Sequence, residues 1–152
     1  GRNSTMAAAA WLDRVGIPQQ NVHPIPAELG PKAGAQRYAP LVAAARPFDM
    51  VLLGMGEDGH TASLFPGHVH PAGEQVHAVS AAPKPPPERI SLSREALSDS
   101  RDVLILITGT GKREAVQRWR AGEDLPIARI TARDHLRVLI DREAGDSASS
   151  AG

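Results

Sequence analysis

Asp58 and His60 stand two positions apart in the run Gly54-Met55-Gly56-Glu57-Asp58-Gly59-His60-Thr61-Ala62-Ser63. An imidazole titrates near neutral pH and can take a proton from water. A carboxylate beside it orients the ring, sets its tautomer and stabilises the cation. On a glycine-flanked turn both side chains can face one cavity. No nucleophile competes with water here. The chain has no cysteine, and Ser63 lacks the G-x-S-x-G turn of serine hydrolases, so packing or capping suits it better. A general base, its orienting acid and water suit hydrolysis of an activated ester. The alternative is that His60 merely caps a helix or fills a loop. Its place in a Gly-rich loop beyond a buried strand favours the base.

A second Gly-rich loop, Thr108-Gly109-Thr110-Gly111-Lys112, also follows a strand-like run. It is no Walker loop, because Leu106 stands where the motif needs Gly and Arg113 where it needs Ser or Thr. Free backbone N–H groups at a helix start, with Lys112 on the first turn, still suit one phosphate or carboxylate. In the first loop Gly54, Gly56 and Gly59 spell the dinucleotide fingerprint. Pro66-Gly67 stops the long helix that fingerprint requires, Glu74 precedes the next strand instead of ending it, and Glu57-Asp58 would repel a pyrophosphate. Glu57 can bond a sugar hydroxyl or serve the turn. His68 and His70 could join His60 around a metal, but no carboxylate pattern completes that site, so a surface loop is expected. Arg113, Arg118 and Arg120 read as a solvated helix face, with Arg113 able to steer an anion.

The elements that must carry these loops follow from periodicity. Helices are expected from a cap at Asn3 or Ser4, with Met6, Ala9, Ala10 and Leu12 at helical spacing, to a stop at Gly16-Ile17-Pro18, then over 31–45 (with Tyr38, Leu41, Val42 and Ala45 on one face and a kink at Pro40) and 112–120. Trp11 and Trp119 are assigned to packing on helices. Phe48–Leu53 is a short run between breakers, apolar but for Asp49, which suits a strand buried on both faces. Further strands are expected at 76–80, 89–93, 102–108 and 136–140. Pro83-Lys84-Pro85-Pro86-Pro87 reads as a rigid extended surface segment, and 146–152 as a disordered tail. Buried strands alternating with helices imply an α/β fold with a mostly parallel sheet flanked by helices. Ligands of such sheets sit beyond the C-terminal strand ends, where both Gly-rich loops lie. A sheet this thin, entered by a helix with no strand before it, suggests the C-terminal portion of a longer domain.

Composition narrows the class. Across 152 residues, 17 Lys plus Arg balance 17 Asp plus Glu, and aromatics are only 3%. Zero net charge argues against a generally basic nucleic-acid surface. Without cysteine, disulfides and thiolate zinc sites are excluded. The apolar runs are well short of the ~20 residues a membrane helix needs, and 1–6 has no signal-peptide pattern. A cytoplasmic globular protein is expected.

Residues 49–67, D-M-V-L-L-G-M-G-E-D-G-H-T-A-S-L-F-P-G, resemble the signature of the 6-phosphogluconolactonases, in the superfamily of glucosamine-6-phosphate deaminase. Arg89-Ile90-Ser91-Leu92-Ser93, the 103–108 strand with Gly111-Lys112, the Asn3-Ser4 helix and Asn21-Val22-His23 fit in order, so the likeness spans about 3–143. It implies a Rossmann-like three-layer sandwich, with 1–145 as the C-terminal portion of one domain. It implies hydrolysis of 6-phospho-D-glucono-1,5-lactone to 6-phosphogluconate in the oxidative pentose phosphate pathway, with no metal or other cofactor. His60 would be the general base and Asp58 its support. Gly56, Gly59, Glu57, Arg89 and Lys112 would bind substrate, Lys112 and Arg89 at its 6-phosphate, and backbone N–H groups around Gly56 would steady the oxyanion. The expected partner is the sugar-phosphate lactone, with no nucleic acid or membrane, in a monomer or homodimer. The family's upstream phosphate loop and Glu-Arg motif are absent here, so weak folding and activity are expected of these residues alone. The alternatives are a glucosamine-6-phosphate deaminase/isomerase-like enzyme, or a non-catalytic sugar-phosphate-binding module. Thr61–Pro66 has no carboxylate for the deaminase's ring opening, which argues against the first.

Overall fold

The computed structural model describes residues 3–145, and the expected tail at 146–152 lies outside the described residues. Three parallel strands, β1 (Phe48–Gly54), β4 (Ser100–Ile107) and β5 (His135–Ile140), form one sheet in the order β1-β4-β5. Register pairs Leu53 with Ile105 and Ile105 with Val138. A second, antiparallel pair is made by β2 (Val76–Val79) and β3 (Arg89–Leu92). Helices α1 (Asn3–Ala10), α2 (Pro31–Ala45), α3 (Arg94–Ser98), α4 (Arg113–Arg120) and α5 (Arg142–Gly145) complete the described elements, apart from short 3₁₀ turns. This is the expected α/β architecture, a parallel sheet flanked by helices. No helix among the described residues is long and apolar enough to cross a membrane.

One face of the sheet makes the main core. Val51, Leu53, Val103, Ile105 and Ile107 pack against Ala115 and Val116 of α4, Leu97 of α3, Ala144 of α5 and the turn carrying Ile127. β1 is therefore not buried on both faces as expected. Val51 and Leu53 point inward, while Met50 and Leu52 are more than half exposed, and Leu106 and Leu139 extend that open face. The strand alternates in burial, but apolar residues occupy both phases, so the alternation left no trace in its composition.

A second core joins α2, the hairpin and α3 through Ala35, Val42, Val76 and Ala96. The α2 bounds match expectation: Gly30 at φ 80° turns the chain in, and Pro31 opens the first turn. Its buried face is Gly34, Ala35 and Val42, with Tyr38 and Ala39 partly buried, while Leu41 and Ala45 are exposed. The face is rotated because Gly34 lets Ile90 and the Pro26 carbonyl approach its Cα closely. Toward the N-terminus, α1 ends at Ala10 and Trp11 is half exposed, contrary to the packing expected of it. Trp119 does pack on the main core.

Ile105 is fully buried in the central strand. Ile105→Ala is expected to lower stability by about 2–5 kcal/mol, the range for cavity formation, as read by urea unfolding.

Candidate active site

The loop leaving β1 is a tight turn fastened at several points. The Gly56 N–H donates to the His60 carbonyl at 2.8 Å, and the Gly59 N–H to the Gly56 carbonyl at 3.1 Å. Thr61 Oγ1 donates to the Gly54 carbonyl at 2.8 Å, tying the loop to the end of its own strand. The Ser63 N–H donates to Ser91 Oγ on β3, and the Ile127 N–H to the Gly59 carbonyl. A loop held this way presents its side chains from a rigid base.

Asp58 and His60 meet as the sequence predicts. Asp58 Oδ1 lies 2.5 Å from His60 Nδ1 and accepts the His60 backbone N–H at 3.1 Å. Burial pushes the Asp58 carboxyl up, but the bonds from the His60 N–H and imidazole, with its own N–H, leave it below the ordinary value. A carboxylate on Nδ1 assigns the proton to that nitrogen and leaves Nε2 as the basic atom. Behind the imidazole lies Phe65, only 3% exposed, its ring centroid 4.6 Å from that of His60. Phe65 also touches His68, and the contacts continue through His70 to the buried His77. His68 and His70 lie on a loop as expected, with Val69 exposed between them, and their half-buried rings join this row.

Gly56 and Gly59 serve the turn. A Cβ on Gly56 would overlap the His60 ring and lie 2.9 Å from Asp58 Oδ1. Its N–H, expected to face an oxyanion, is taken by the His60 carbonyl. Gly59 adopts φ 84°, a conformation that favours glycine, and Leu125 packs on its Cα. Both of its backbone polar groups are engaged within the protein.

The two Gly-rich loops touch through Glu57. A Cβ on Gly111 would lie 3.2 Å from Glu57 Oε1. Lys84 Nζ, from the proline-rich segment, reaches Glu57 Oε2 at 3.1 Å. The hydrogen bond from Lys84, then the charges of Lys84 and Lys112, hold the Glu57 carboxyl below its ordinary value. Lys84 is a residue that sequence reasoning missed; the available signal was a lone cation set among prolines. In the second loop the expected free donors are fewer, because the Gly109 N–H already donates to Asp141 Oδ2. Arg89 also departs from expectation. Its Nε donates to the Pro86 carbonyl and its Nη2 to those of Lys84 and Pro85, so most of its fork is closed to a phosphate. Arg113 and Arg120 are not purely solvated either, since they donate to the Glu143 and Gly145 carbonyls of α5.

The arrangement is an acid–base pair and one ammonium group, Lys112, beyond the C-terminal ends of the adjacent parallel strands β1 and β4, with a second ammonium, Lys84, reaching Glu57 from the β2–β3 connection. It can activate water beside a bound anion. Known proteins resemble the chain in sequence and in fold. A family model described as "Glucosamine-6-phosphate isomerases/6-phosphogluconolactonase" matches residues 1–139. The chain is 39% identical to the 6-phosphogluconolactonase of Mycobacterium leprae over 94% of its own length and 65% of that protein's. Among solved structures, a devB protein superposes with a TM-score of 0.82 at 33% identity, covering 92% of this chain and 64% of that one. The 6-phosphogluconolactonase of Thermotoga maritima superposes with a TM-score of 0.79 at 26% identity, covering 88% and 62%. The chain thus spans just under two thirds of the length of these relatives. With the family model matching nearly all of the sequence and the fold shared at this level, the chain belongs to the family of glucosamine-6-phosphate isomerases and 6-phosphogluconolactonases.

Proposed function

We propose that this protein hydrolyses 6-phospho-D-glucono-1,5-lactone to 6-phosphogluconate, the hydrolytic step of the oxidative pentose phosphate pathway. The observation that carries the proposal is the Asp58–His60 pair, set beside Lys84 and Lys112 at the mouth of the parallel sheet. His60 Nε2 takes a proton from water as the oxygen attacks the lactone carbonyl carbon. The ring C–O bond then breaks, and the proton passes from the imidazolium to the departing ring oxygen. Asp58 holds the ring and offsets its positive charge throughout. Lys112 grips the 6-phosphate and so fixes the carbonyl against the water.

A δ-lactone is an activated ester, so a positioned base suffices and the reaction needs no metal. The absence of any acid in Thr61–Pro66 favours lactone hydrolysis over the amino-sugar branch of the family. The names of the relatives support the same choice. We place the reaction in the cytoplasm, on a small-molecule substrate.

The test is turnover of freshly generated 6-phospho-D-glucono-1,5-lactone by the full-length gene product, followed as acid release or by coupling to 6-phosphogluconate oxidation. A rate well above spontaneous hydrolysis is expected. A rate equal to the blank overturns the proposal, and binding of 6-phosphogluconate without turnover would identify a sugar-phosphate-binding module instead.

A further inference from the structure

We propose that Arg89 is a positioning residue, a clasp that holds Lys84 over the second Gly-rich loop, and that Lys84 is the second ammonium of the phosphate subsite. The inference rests on the lactonase reading above and extends it to two residues.

The proline-rich segment has an unusual bonding problem. Pro83, Pro85, Pro86 and Pro87 have no backbone N–H, so the segment offers carbonyls and almost no donors. Its backbone closure is a bond from the Ala82 N–H to the Pro87 carbonyl at 2.9 Å. The carbonyls of Lys84, Pro85 and Pro86 converge on one guanidinium. Arg89 Nη2 reaches the Lys84 carbonyl at 2.7 Å and that of Pro85 at 3.2 Å, and Nε reaches Pro86 at 3.0 Å. Three acceptors spread around one planar group call for the fixed fork of arginine, which a lysine ammonium does not reproduce.

The clasp is itself anchored at the active site. Arg89 opens β3, and its Cζ lies 5.4 Å from the centroid of Phe65, the ring that backs His60. The turn that carries Lys84 is thereby referenced to the general base through two side chains. Two of the chain's three lysines, Lys84 and Lys112, then surround one carboxylate, Glu57. Glu57 and Lys84 are each 59% exposed. An ion pair that open to water is weak. A phosphate dianion, with more charge and more acceptor oxygens than a carboxylate, displaces Glu57 and bridges the two ammonium groups. Glu57 is thus a stand-in for the ligand, and the 6-phosphate takes over its cations.

The experiment compares kcat/KM for 6-phosphorylated and unphosphorylated δ-gluconolactone in the full-length gene product. Lys84→Met is expected to lower the preference for the phosphorylated lactone by about 10–100-fold, chiefly through KM, as loss of one charged hydrogen bond implies. Lys84→Arg is expected to restore most of it. Arg89→Lys keeps the charge yet is expected to lose the preference like Lys84→Met. The double variant should be no worse than Lys84→Met alone, because Arg89 acts through Lys84. A double variant whose loss is the product of the two single losses would make Arg89 a direct phosphate ligand and overturn the clasp. An unchanged preference in Lys84→Met overturns the subsite, and this readout stands even if Arg89→Lys fails to fold. A wild type inactive on both lactones overturns the functional reading itself, whereas an active wild type with indifferent variants overturns this inference alone.

Discussion

His60→Ala is expected to lower kcat on the phosphorylated lactone by about 10²–10⁴-fold, the usual contribution of a positioned general base, with KM changed far less. The imidazole contacts Asp58 and Phe65 but belongs to neither core cluster, so the variant should unfold at nearly the wild-type temperature. Asp58→Asn tests the other half of the pair. An amide cannot stabilise the imidazolium as a carboxylate does, so kcat should fall, by less than for His60→Ala. The pH dependence separates the two groups. The Asp58 carboxyl is held below its ordinary value in the folded protein. Its charged form therefore persists as pH falls past the ordinary carboxylate range, and its support, for stability and for the imidazolium alike, is lost only as pH drops through that depressed value. The acid limb of the wild-type rate profile should accordingly not arise on Asp58 within the ordinary carboxylate range. A His60→Ala enzyme with wild-type kcat would remove the base assignment.

The chemistry was easier to read from the sequence than the binding surface, for a local reason. Asp58 and His60 meet across one turn, so their spacing alone brings them together, and the Gly-rich surroundings mark the turn. β4 was legible because Val103, Leu104, Ile105, Leu106 and Ile107 are β-branched or leucine and sit between clear breakers. α2 was legible because Pro31 follows Gly30. Short elements were missed: α3 has five residues and α5 has four, too few for periodicity to register. The sign of α3 lay in its cap, since Ser93 Oγ accepts the Ala96 N–H at 3.0 Å. Lys84 and Arg89 were harder still. Their partners are backbone carbonyls and a carboxylate 27 residues away in sequence, set by the path of a turn and not by residue type. An arginine beside an anion site and an arginine clasping its own loop have the same letter in the sequence.

Gly56→Ala offers a large effect without removing any chemical group. Gly54, Gly56 and Gly59 form the G-x-G-x-x-G string, and a dinucleotide reading would make all three serve a pyrophosphate. The structure separates them. A Cβ on Gly54 meets only the Leu106 carbonyl, at 3.9 Å, which is ordinary contact. A Cβ on Gly59 meets Leu125 from 2.8 Å outward in a backbone at φ 84°, so its cost falls on stability. A Cβ on Gly56 overlaps the imidazole and crowds Asp58, so it can be accommodated only by moving the base. Misplacing a catalytic group by ~1 Å costs on the order of 10²-fold. Gly56→Ala should therefore cut kcat by about that factor or more, while Gly54→Ala stays within a few-fold of wild type. Gly59→Ala should show its effect mainly in thermal unfolding. The ranking follows from what each missing side chain would meet, and equal kcat for the Gly54 and Gly56 variants would mean that His60 does not sit against the Gly56 Cα when the enzyme works.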